Sequence, residues 1–360
     1  MTSHPTDQFL AGDPVEIAGA GMAGMAAAIH LKTIGKNVVV YEKHSAVGAG
    51  RHGDYEGLEN WIFNGSMNHF FSRLGFDFPS LISYPVYQFF VHSAIQSPKR
   101  VHSTHPFFYL VRRGPEEDCL DEQLYQQCLS AGVHFRLGTQ APDGCHIIST
   151  GSKKAKALIQ GINFITGLEN QVHLLLGSQI APKGYAYLIV SNGKATLAVA
   201  FKKQKNQKSN PLKQSIEHFQ SQGFTFPGKT VFGSYGSFSI PIGKRFSHPI
   251  HIGERGGFQD YLFGFGMRVA MESGLAAAKQ LADDSVAAQI ILRSLSKKCK
   301  ISYVNRCLYE QLNDQQILKM ADQFSNSDEP LTILEQAYKW NFKNIRRWIR
   351  LKGRIEIRTA

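Results

Sequence analysis

The feature that most constrains the fold is a glycine-rich turn near the start of the chain. An apolar run, Val15 to Ala18, leads into Gly19-Ala20-Gly21-Met22-Ala23-Gly24, and an alanine-rich segment and a second apolar run, Val38 to Tyr41, follow. This order predicts a strand, a tight turn, a helix and a second strand. The first glycine of such a unit permits the turn, the second lets a pyrophosphate approach the backbone, and the third lets the helix pack closely on the strand. Gly19, Gly21 and Gly24 therefore predict a dinucleotide-binding site.

An acidic residue at the end of the second run supports this prediction. Glu42 follows Gly24 by 18 residues, where a carboxylate can accept hydrogen bonds from both hydroxyls of a ribose. The helix N-terminus would face the phosphates with its N–H groups and the positive end of its dipole. The alternative is a turn whose glycines only let a helix pack on a sheet. The strand, the helix and the spaced acid together favour dinucleotide binding.

The composition is that of a soluble globular protein with room for about two structural units, since 43% of the 360 residues are hydrophobic. No apolar run approaches the roughly 20 residues that span a membrane. The N-terminal segment lacks the basic start and apolar core of a signal peptide, so we expect a cytoplasmic protein. Five cysteines without a CxxC pair indicate reduced thiols and no structural zinc site.

The net charge of +12 indicates an anionic partner, which is a phosphate-rich cofactor, nucleic acid or an acidic membrane surface. The basic segment Lys202 to Pro211 has no interleaved aromatic residues, so we expect a solvated loop and no nucleic-acid contact. His102 and His105 are expected to project from opposite faces of a strand, which argues against a metal site.

A second glycine-rich stretch lies far along the chain. It begins with a strand that runs into Gly253-Glu254, continues through an aromatic loop that contains Gly264 and Gly266, and enters a small-residue helix, Val269 to Leu281. Loop glycines at a helix start present backbone N–H groups to a ligand. Between the two stretches, Arg51 lies in a glycine-rich loop where it can supply charge for a phosphate.

With both stretches in view, the chain resembles the FAD-dependent oxidoreductases of the geranylgeranyl reductase-like branch, within the class that contains aromatic hydroxylases and flavin halogenases. The resemblance covers roughly residues 13 to 285. It implies FAD as the cofactor, held by the first glycine turn, by Arg51, by Gly253 and by Glu254, which replaces the usual aspartate. Arg113-Gly114 with Leu120-Asp121 resembles the middle FAD-contacting segment of these proteins. Gly264 and Gly266 are predicted to place N–H donors beside flavin N1 and O2.

Departures from the family patterns bear on the reaction. Ser149-Thr150-Gly151 replaces the Asp-Gly pair typical of the hydroxylases, and the WxWxIP signature of the halogenases is absent. Gly184-Tyr185-Ala186-Tyr187 is similar to a degraded form of the YxWxFPKG pattern of the reductases. Tyr185 and Tyr187 alternate along one strand and share a face, which makes them candidates to line a substrate cavity. The catalytic proton donor is not identified by the sequence.

The resemblance implies reduction of carbon–carbon double bonds of an isoprenoid or other apolar lipid-like substrate, by hydride transfer from reduced flavin. The alternatives are a FAD-dependent monooxygenase and a non-catalytic flavin-binding protein that binds a membrane or a partner. The electron donor is open between NADPH and a redox protein.

The predicted fold is α/β, with a Rossmann-like FAD-binding domain interleaved with an antiparallel β-sheet substrate domain, and a helical C-terminal region. The FAD-binding domain is predicted to comprise residues 13–75, 107–165 and 247–285. The substrate domain is predicted to comprise residues 76–106 and 166–246, and the helical C-terminal region residues 286–360. Near the end, a 3.6-residue wheel gathers apolar residues on one side and basic residues on the other, which predicts a basic amphipathic helix. The apolar side has Leu334, Tyr338, Phe342, Ile345, Trp348 and Ile349, and the basic side has Lys339, Lys343, Arg346, Arg347 and Arg350. That helix either packs on the protein or binds an anionic membrane, which would make the protein peripheral on the cytoplasmic face.

Overall fold

The computed structural model describes residues 13–93, 96–151, 157–202, 210–236, 246 and 248–351. The strands are β1 (Val15–Ala18), β2 (Val38–Tyr41), β3 (Tyr55–Glu59), β4 (Tyr84–Val86), β5 (Gln88–Ser93), β6 (Lys99–His102), β7 (Phe108–Arg112), β8 (His134–Arg136), β9 (Ile147–Ile148), β10 (Ala157–Ile165), β11 (Gln171–Leu176), β12 (Tyr185–Ser191), β13 (Lys194–Phe201), β14 (Thr230–Gly236) and β15 (Ile250–His251). The α-helices are α1 (Met22–Thr33), α2 (Met67–Leu74), α3 (Leu120–Ser130), α4 (Pro211–Ser221), α5 (Met267–Leu281), α6 (Ser285–Tyr309), α7 (Asp314–Ser325), α8 (Pro330–Ala337) and α9 (Phe342–Leu351).

A parallel sheet carries the glycine turn. Its strand order is β15-β9-β1-β2-β8, and each neighbouring pair is parallel. Strands β1 and β2 and the intervening helix α1 lie where the sequence predicts them. Helix α1 is buried on nearly every side, which its alanines allow, and it packs between the sheet and helix α5. Because the strands are parallel, their carboxyl ends meet at one edge, where ligands bind in open α/β sheets.

A second, mostly antiparallel sheet has the strand order β14-β10-β13-β12-β11-β5-β6. Its β12–β13 hairpin turns at Asn192 and Gly193, both with positive φ, and an Asn-Gly pair is the sequence most typical of such a turn. One face of β12 carries Ala186 and Leu188, which pack with Phe219 of α4, and the other carries Tyr185 and Tyr187. A third sheet, β3-β7-β4, is antiparallel.

One predicted boundary needs correction. Strand β10, residues 157–165, was assigned to the cofactor domain, but it pairs with β13 and β14 in the seven-stranded sheet. Its partner strands come later in the sequence, so the local pattern did not show the pairing. The overall prediction of a Rossmann-like parallel sheet, an antiparallel sheet and C-terminal helices is confirmed.

The C-terminal region is helical, as predicted, but the prediction of a single amphipathic helix near its end is wrong. Residues 338–341 interrupt it, and α8 and α9 are separate helices. The break has a local cause, because the side chain of Asn341 accepts a hydrogen bond from the amide of Asn344 and starts a new helix. As a result Tyr338 is buried and Phe342 is exposed, although the predicted single helix would place both residues on the same apolar side.

The described residues include no helix that is both long enough and apolar enough to cross a membrane. Most of the predicted basic loop, 203–209, and the final segment, 352–360, lie outside the described residues.

Candidate functional site

The glycine turn after β1 is shaped by close packing at its first and third glycines. Gly19 has a φ of +99°, which side chains rarely adopt, and a Cβ placed on it would lie 2.7 Å from the carbonyl oxygen of Ser149. A Cβ placed on Gly24 would lie 2.1 Å from the carbonyl oxygen of Gly19. Both positions therefore require glycine for the strand, the turn and α1 to fit together.

The second glycine of the turn faces open space. Gly21 precedes α1 with a φ of −71°, and a Cβ placed on it would have none of the described atoms within 4 Å. No described side chain caps the first turn of α1. Amide groups without an intrahelical partner and the positive end of the helix dipole therefore meet an exposed surface, which a phosphate can approach.

Glu42 lies beside this turn, at the end of β2. Its Oε2 accepts a hydrogen bond from the amide of Ala20 at 3.0 Å, and its Oε1 accepts one from the amide of His44 at 3.1 Å. Each oxygen retains a further lone pair, since a carboxylate has about four acceptor sites. The backbone thus orients Glu42 at the glycine turn, where ribose binding would need it.

Arg51 belongs to a loop that folds against the end of β7. Gly48, with a φ of +75°, approaches so closely that a Cβ placed on it would lie 2.5 Å from the carbonyl oxygen of Gly114. Arg51 is exposed, and its Nη1 lies 3.3 Å from Oε1 of Glu56. Because exposed ion pairs contribute little to stability, Arg51 can exchange Glu56 for a phosphate at small cost. Its contact with a cofactor stays a prediction.

The guanidinium of Arg113 is buried between two carboxylates. It donates from Nε and Nη2 to the two oxygens of Asp121, at 2.8 and 2.9 Å, and from Nη1 to Glu56 at 2.7 Å. Burial alone would lower the pKa of Arg113, but Asp121 and Glu56 raise it above its ordinary value. Arg113 therefore anchors the end of β7 to β3 and α3, and its contact with a cofactor stays a prediction.

The second glycine-rich segment lies against the first. Gly253 has a φ of +58°, and a Cβ placed on it would lie 3.1 Å from the Cβ of Ala23 in α1. Its amide donates to Oγ of Ser273 at 2.8 Å, and a Cβ placed on Gly274 would lie 2.3 Å from the carbonyl oxygen of Ala23. Half-buried Glu254 follows Gly253. Two segments that are far apart in sequence thus meet at the first turn of α1.

The loop before α5 is organised by buried Asp260, which the sequence analysis did not single out. Its Oδ2 accepts hydrogen bonds from the amides of Phe263 at 2.9 Å and Phe265 at 3.3 Å. Its Oδ1 accepts from the hydroxyls of Ser302 in α6 and of Tyr338, the latter at 2.7 Å. These bonds fix the loop to the C-terminal helices. The sequence does contain a signal for this role. Asp260 stands directly before an aromatic and glycine-rich run, and aspartate side chains in that position often accept hydrogen bonds from the amides of the following loop.

The structure changes the predicted role of Gly266. Its amide donates to the carbonyl oxygen of Gly264 at 2.8 Å, so this donor is used within the loop. Gly264 has a φ of +78° and is exposed, and no described side chain caps the first turn of α5. Flavin contact at this helix start stays a prediction, with Gly264 and the first turn of α5 as the groups that can provide it.

Tyr185 and Tyr187 share a face of β12, and their ring centroids lie 6.2 Å apart. The hydroxyl of Tyr185 donates to the carbonyl oxygen of Phe263, which places the strand against the loop before α5. Burial raises the pKa of both phenols, so both stay protonated near neutral pH. The two rings form part of an aromatic wall with Phe263, and their role in lining a substrate cavity stays a prediction.

A buried ion pair lies behind the same loop and was missed by sequence reasoning. Arg268 of α5 donates from Nη1 to the carbonyl oxygen of Glu59 at 2.7 Å and lies 3.4 Å from its Oε2. Burial raises the pKa of Glu59 to about 7, although Arg268 favours its charged form. Among the described residues, Oε1 of Glu59 and Nε and Nη2 of Arg268 have no hydrogen-bond partner. No local pattern connects two residues that are 209 positions apart.

The histidines noted in the sequence lie apart from this region. His102 ends β6 and His105 lies in the loop that follows. Within the described ranges, no group of three or more His, Cys, Asp or Glu side chains is arranged to hold a metal ion. All five cysteines lie in the described part of the chain, and none of them forms a disulfide bond.

Known proteins share this architecture. A family model described as an NAD(P)-binding Rossmann-like domain matches residues 17–76. No curated protein sequence matches the chain. A geranylgeranyl bacteriochlorophyll reductase-like protein from Thermoplasma acidophilum is similar in structure, with a TM-score of 0.66 and 17% identity over 95% of this chain and 99% of that one.

Two further solved structures show the same likeness. A flavoprotein/dehydrogenase from Cytophaga hutchinsonii has a TM-score of 0.64 and 15% identity over 92% of this chain and 94% of that one. A p-nitrophenol 4-monooxygenase from Pseudomonas putida has a TM-score of 0.60 and 11% identity over 93% and 98%. The chain therefore has the fold of geranylgeranyl reductase-like proteins and of the flavoproteins and monooxygenases that share it, which confirms the predicted resemblance.

Proposed function

We propose that the protein is an FAD-dependent oxidoreductase. The observation that carries this proposal is the meeting of the two glycine-rich segments at α1, with Gly253 packed on Ala23, which lies within the Gly19–Gly24 stretch. A mononucleotide would need only one of these segments. An extended dinucleotide can contact both, with its ADP half at Glu42 and the first turn of α1, and its other half toward the loop before α5.

The residues present fit FAD at the ADP end. Gly21 leaves the surface open, α1 offers uncapped amides, and Glu42 is held for ribose contact. When bound, FAD supplies the two-electron chemistry of the reaction. Around its other half, the chain would contribute Gly264, the first turn of α5 and the rings of Tyr185 and Tyr187. Arg268, buried in that first turn, adds a positive charge close to this helix start.

NAD(P) is the competing dinucleotide, since the matching family model describes an NAD(P)-binding domain. FAD is favoured because the second glycine segment adjoins the first and because similar structures include a flavoprotein and a flavin-dependent halogenase. Release of the bound nucleotide from purified protein by heat, followed by chromatography, separates the two. Bound NAD(P) without FAD would overturn the proposal.

The reaction that we propose is reduction of a carbon–carbon double bond in an isoprenoid or other apolar lipid-like substrate, with NADPH or a redox protein as the electron donor. It is supported by the aromatic wall at Tyr185 and Tyr187 and by the likeness to a reductase-like protein. A FAD-dependent monooxygenase is the second candidate, favoured by the likeness to p-nitrophenol 4-monooxygenase and to a flavin-dependent halogenase. A flavin-binding protein without turnover is the third.

Substrate-dependent oxygen consumption distinguishes these reactions. The reduced holoprotein is mixed with a polyprenyl substrate under strictly anaerobic conditions and then in air, and the products are analysed by mass spectrometry. A reductase adds two hydrogens per double bond without oxygen. Consumption of oxygen with insertion of an oxygen atom would support the monooxygenase, and flavin binding without any product would support the non-catalytic protein.

A further inference from the structure

The solvent-exposed side of helix α9 combines large apolar side chains with cations. On a helical wheel Phe342, Lys343, Arg346, Ile349 and Arg350 fall within one arc, and all five are exposed. Phe342 is 74% exposed and Ile349 is 57% exposed. We call these five residues the outer face of α9. It combines two large apolar side chains with three cations.

The opposite side of α9 holds the helix to the protein. Leu351 and Asn344 are buried, and the ring of Trp348 packs edge-on against Tyr303 of α6 at 6.2 Å. Lys300 of α6 lies over the same Trp348 ring. The outer face is therefore presented by a fixed helix, and its exposed apolar residues are not the loose end of a frayed segment.

The charge of α9 has one sign. The segment Phe342–Leu351 contains four basic residues and no acidic residue. The guanidinium of Arg346 lies 5.7 Å from the centre of the Phe342 ring, so charge and apolar surface are interleaved and not separated into two patches. An anionic surface into which apolar side chains can also insert satisfies both features, and a bilayer with acidic headgroups is such a surface.

We propose that the outer face of α9 docks on an anionic lipid membrane, with Phe342 and Ile349 inserted at the headgroup boundary and Lys343, Arg346 and Arg350 against the lipid phosphates. Nucleic acid is the weaker match, because phosphate-backbone contact uses the cations but leaves the two apolar side chains in water. The proposal is independent of FAD and of the reaction.

The side of α9 that packs on the protein is connected to the loop before α5. Trp348 contacts Tyr303, and Tyr303 contacts Tyr261 of that loop at 6.1 Å. Tyr338, just before α9, donates to Asp260 of the same loop. Two aromatic contacts therefore connect the packed side of α9, opposite its outer face, with the loop before α5.

The test is flotation of the full chain with vesicles of phosphatidylcholine alone and of phosphatidylcholine mixed with phosphatidylglycerol. We expect binding to the mixed vesicles, weakened by salt, and much weaker binding to the neutral ones. Phe342→Ser with Ile349→Ser should lower the partition coefficient about tenfold or more. Arg346→Glu with Arg350→Glu should lower it by about 25-fold or more, since each lost charge is worth about fivefold.

Matched controls come from α6. Val286→Ser with Ile290→Ser removes apolar side chains that are 72% and 63% exposed, and Arg293→Glu with Lys297→Glu makes the same charge change on exposed residues. Both controls should bind as the wild type does, with unchanged melting temperatures for all variants.

Three outcomes would overturn the proposal. The first is no flotation of the wild type. The second is a loss of vesicle binding in the α6 charge control that equals the loss in the α9 charge variant. This result would show that binding depends on the net charge of the protein and not on the position of the cations. The third is competition by duplex DNA that depends on Arg346 and Arg350 while the Phe342 and Ile349 variant binds vesicles normally.

Discussion

Replacing Tyr338 by Phe removes one hydrogen bond from the buried Asp260 and leaves the aromatic ring in place. The hydroxyl of Tyr338 donates to Oδ1 of Asp260 at 2.7 Å. Tyr309 offers a matched comparison, because its hydroxyl is also buried and donates at 2.7 Å, but to the neutral carbonyl oxygen of Gly184. The two substitutions differ chiefly in the charge of the acceptor.

The difference in charge sets the expected difference in stability. A hydrogen bond to a charged group contributes about 1.5–3 kcal/mol and one between neutral groups about 0.5–1.5 kcal/mol. Tyr338→Phe should therefore lower the free energy of unfolding by about 2 kcal/mol, and Tyr309→Phe by about 1 kcal/mol. Neither change should create a cavity, because only an oxygen atom is removed.

Equilibrium urea unfolding at neutral pH measures both values, provided that the slopes of the two transitions agree with that of the wild type. Equal losses for the two variants, or a larger loss for Tyr309→Phe, would refute the argument that a charged Asp260 fastens the loop to the C-terminal helices.

Three further predictions concern buried groups. Gly24→Ala should destabilise the protein by about 1–3 kcal/mol, because its Cβ would meet the carbonyl oxygen of Gly19, and an unchanged melting temperature would contradict this packing. Arg113→Ala should cost about 3–5 kcal/mol because it leaves the carboxylate of Asp121 buried without its partner, and urea unfolding should show partial recovery when Asp121→Ala is added. The pKa of Glu59 is about 7 in the folded protein against 4.5 ordinarily, so protonation of Glu59 stabilises the folded state relative to the unfolded state. This contribution to stability is complete below pH 4.5 and is lost as the pH rises to about 7. Relative to Glu59→Gln, the wild type should lose up to about 3 kcal/mol between pH 4.5 and 7, and a difference that does not change with pH would contradict the assignment.

The parts of the fold that the sequence predicts are those encoded locally. The glycine turn, α1 and β2 occupy one continuous stretch, and the observed β1 and β2 have the predicted bounds. The hairpin at Asn192 and Gly193 is also local, because both residues adopt positive φ readily.

The parts that the sequence did not reveal depend on distant partners. Asp260 organises its loop with hydroxyls from Ser302 and Tyr338, which lie 42 and 78 residues away. Glu59 and Arg268 form their pair across 209 residues. The interruption between α8 and α9 escaped the helical-wheel analysis because apolar spacing continued across it, whereas the side chain of Asn341 begins a new helix.

The most direct test of FAD binding compares two glycines that both have space for a methyl group in the protein without cofactor. Gly21 and Gly167 both have ordinary φ values, and no described atom lies within 4 Å of a Cβ placed on either. Gly167→Ala should therefore leave the urea midpoint of the apoprotein nearly unchanged. Gly21→Ala should lower the free energy of unfolding by about 0.5–1 kcal/mol, because alanine is a poorer residue than glycine directly before a helix, and the apoprotein should still fold. Only Gly21 belongs to the turn that the pyrophosphate is proposed to approach.

Titration of the three apoproteins with FAD, followed by quenching of flavin fluorescence, gives the decisive comparison. We predict that the wild type and Gly167→Ala bind one FAD with equal affinity and that Gly21→Ala binds at least about tenfold more weakly. Equal FAD affinity in all three proteins, or no FAD binding by the correctly folded wild type, would contradict the proposed cofactor site.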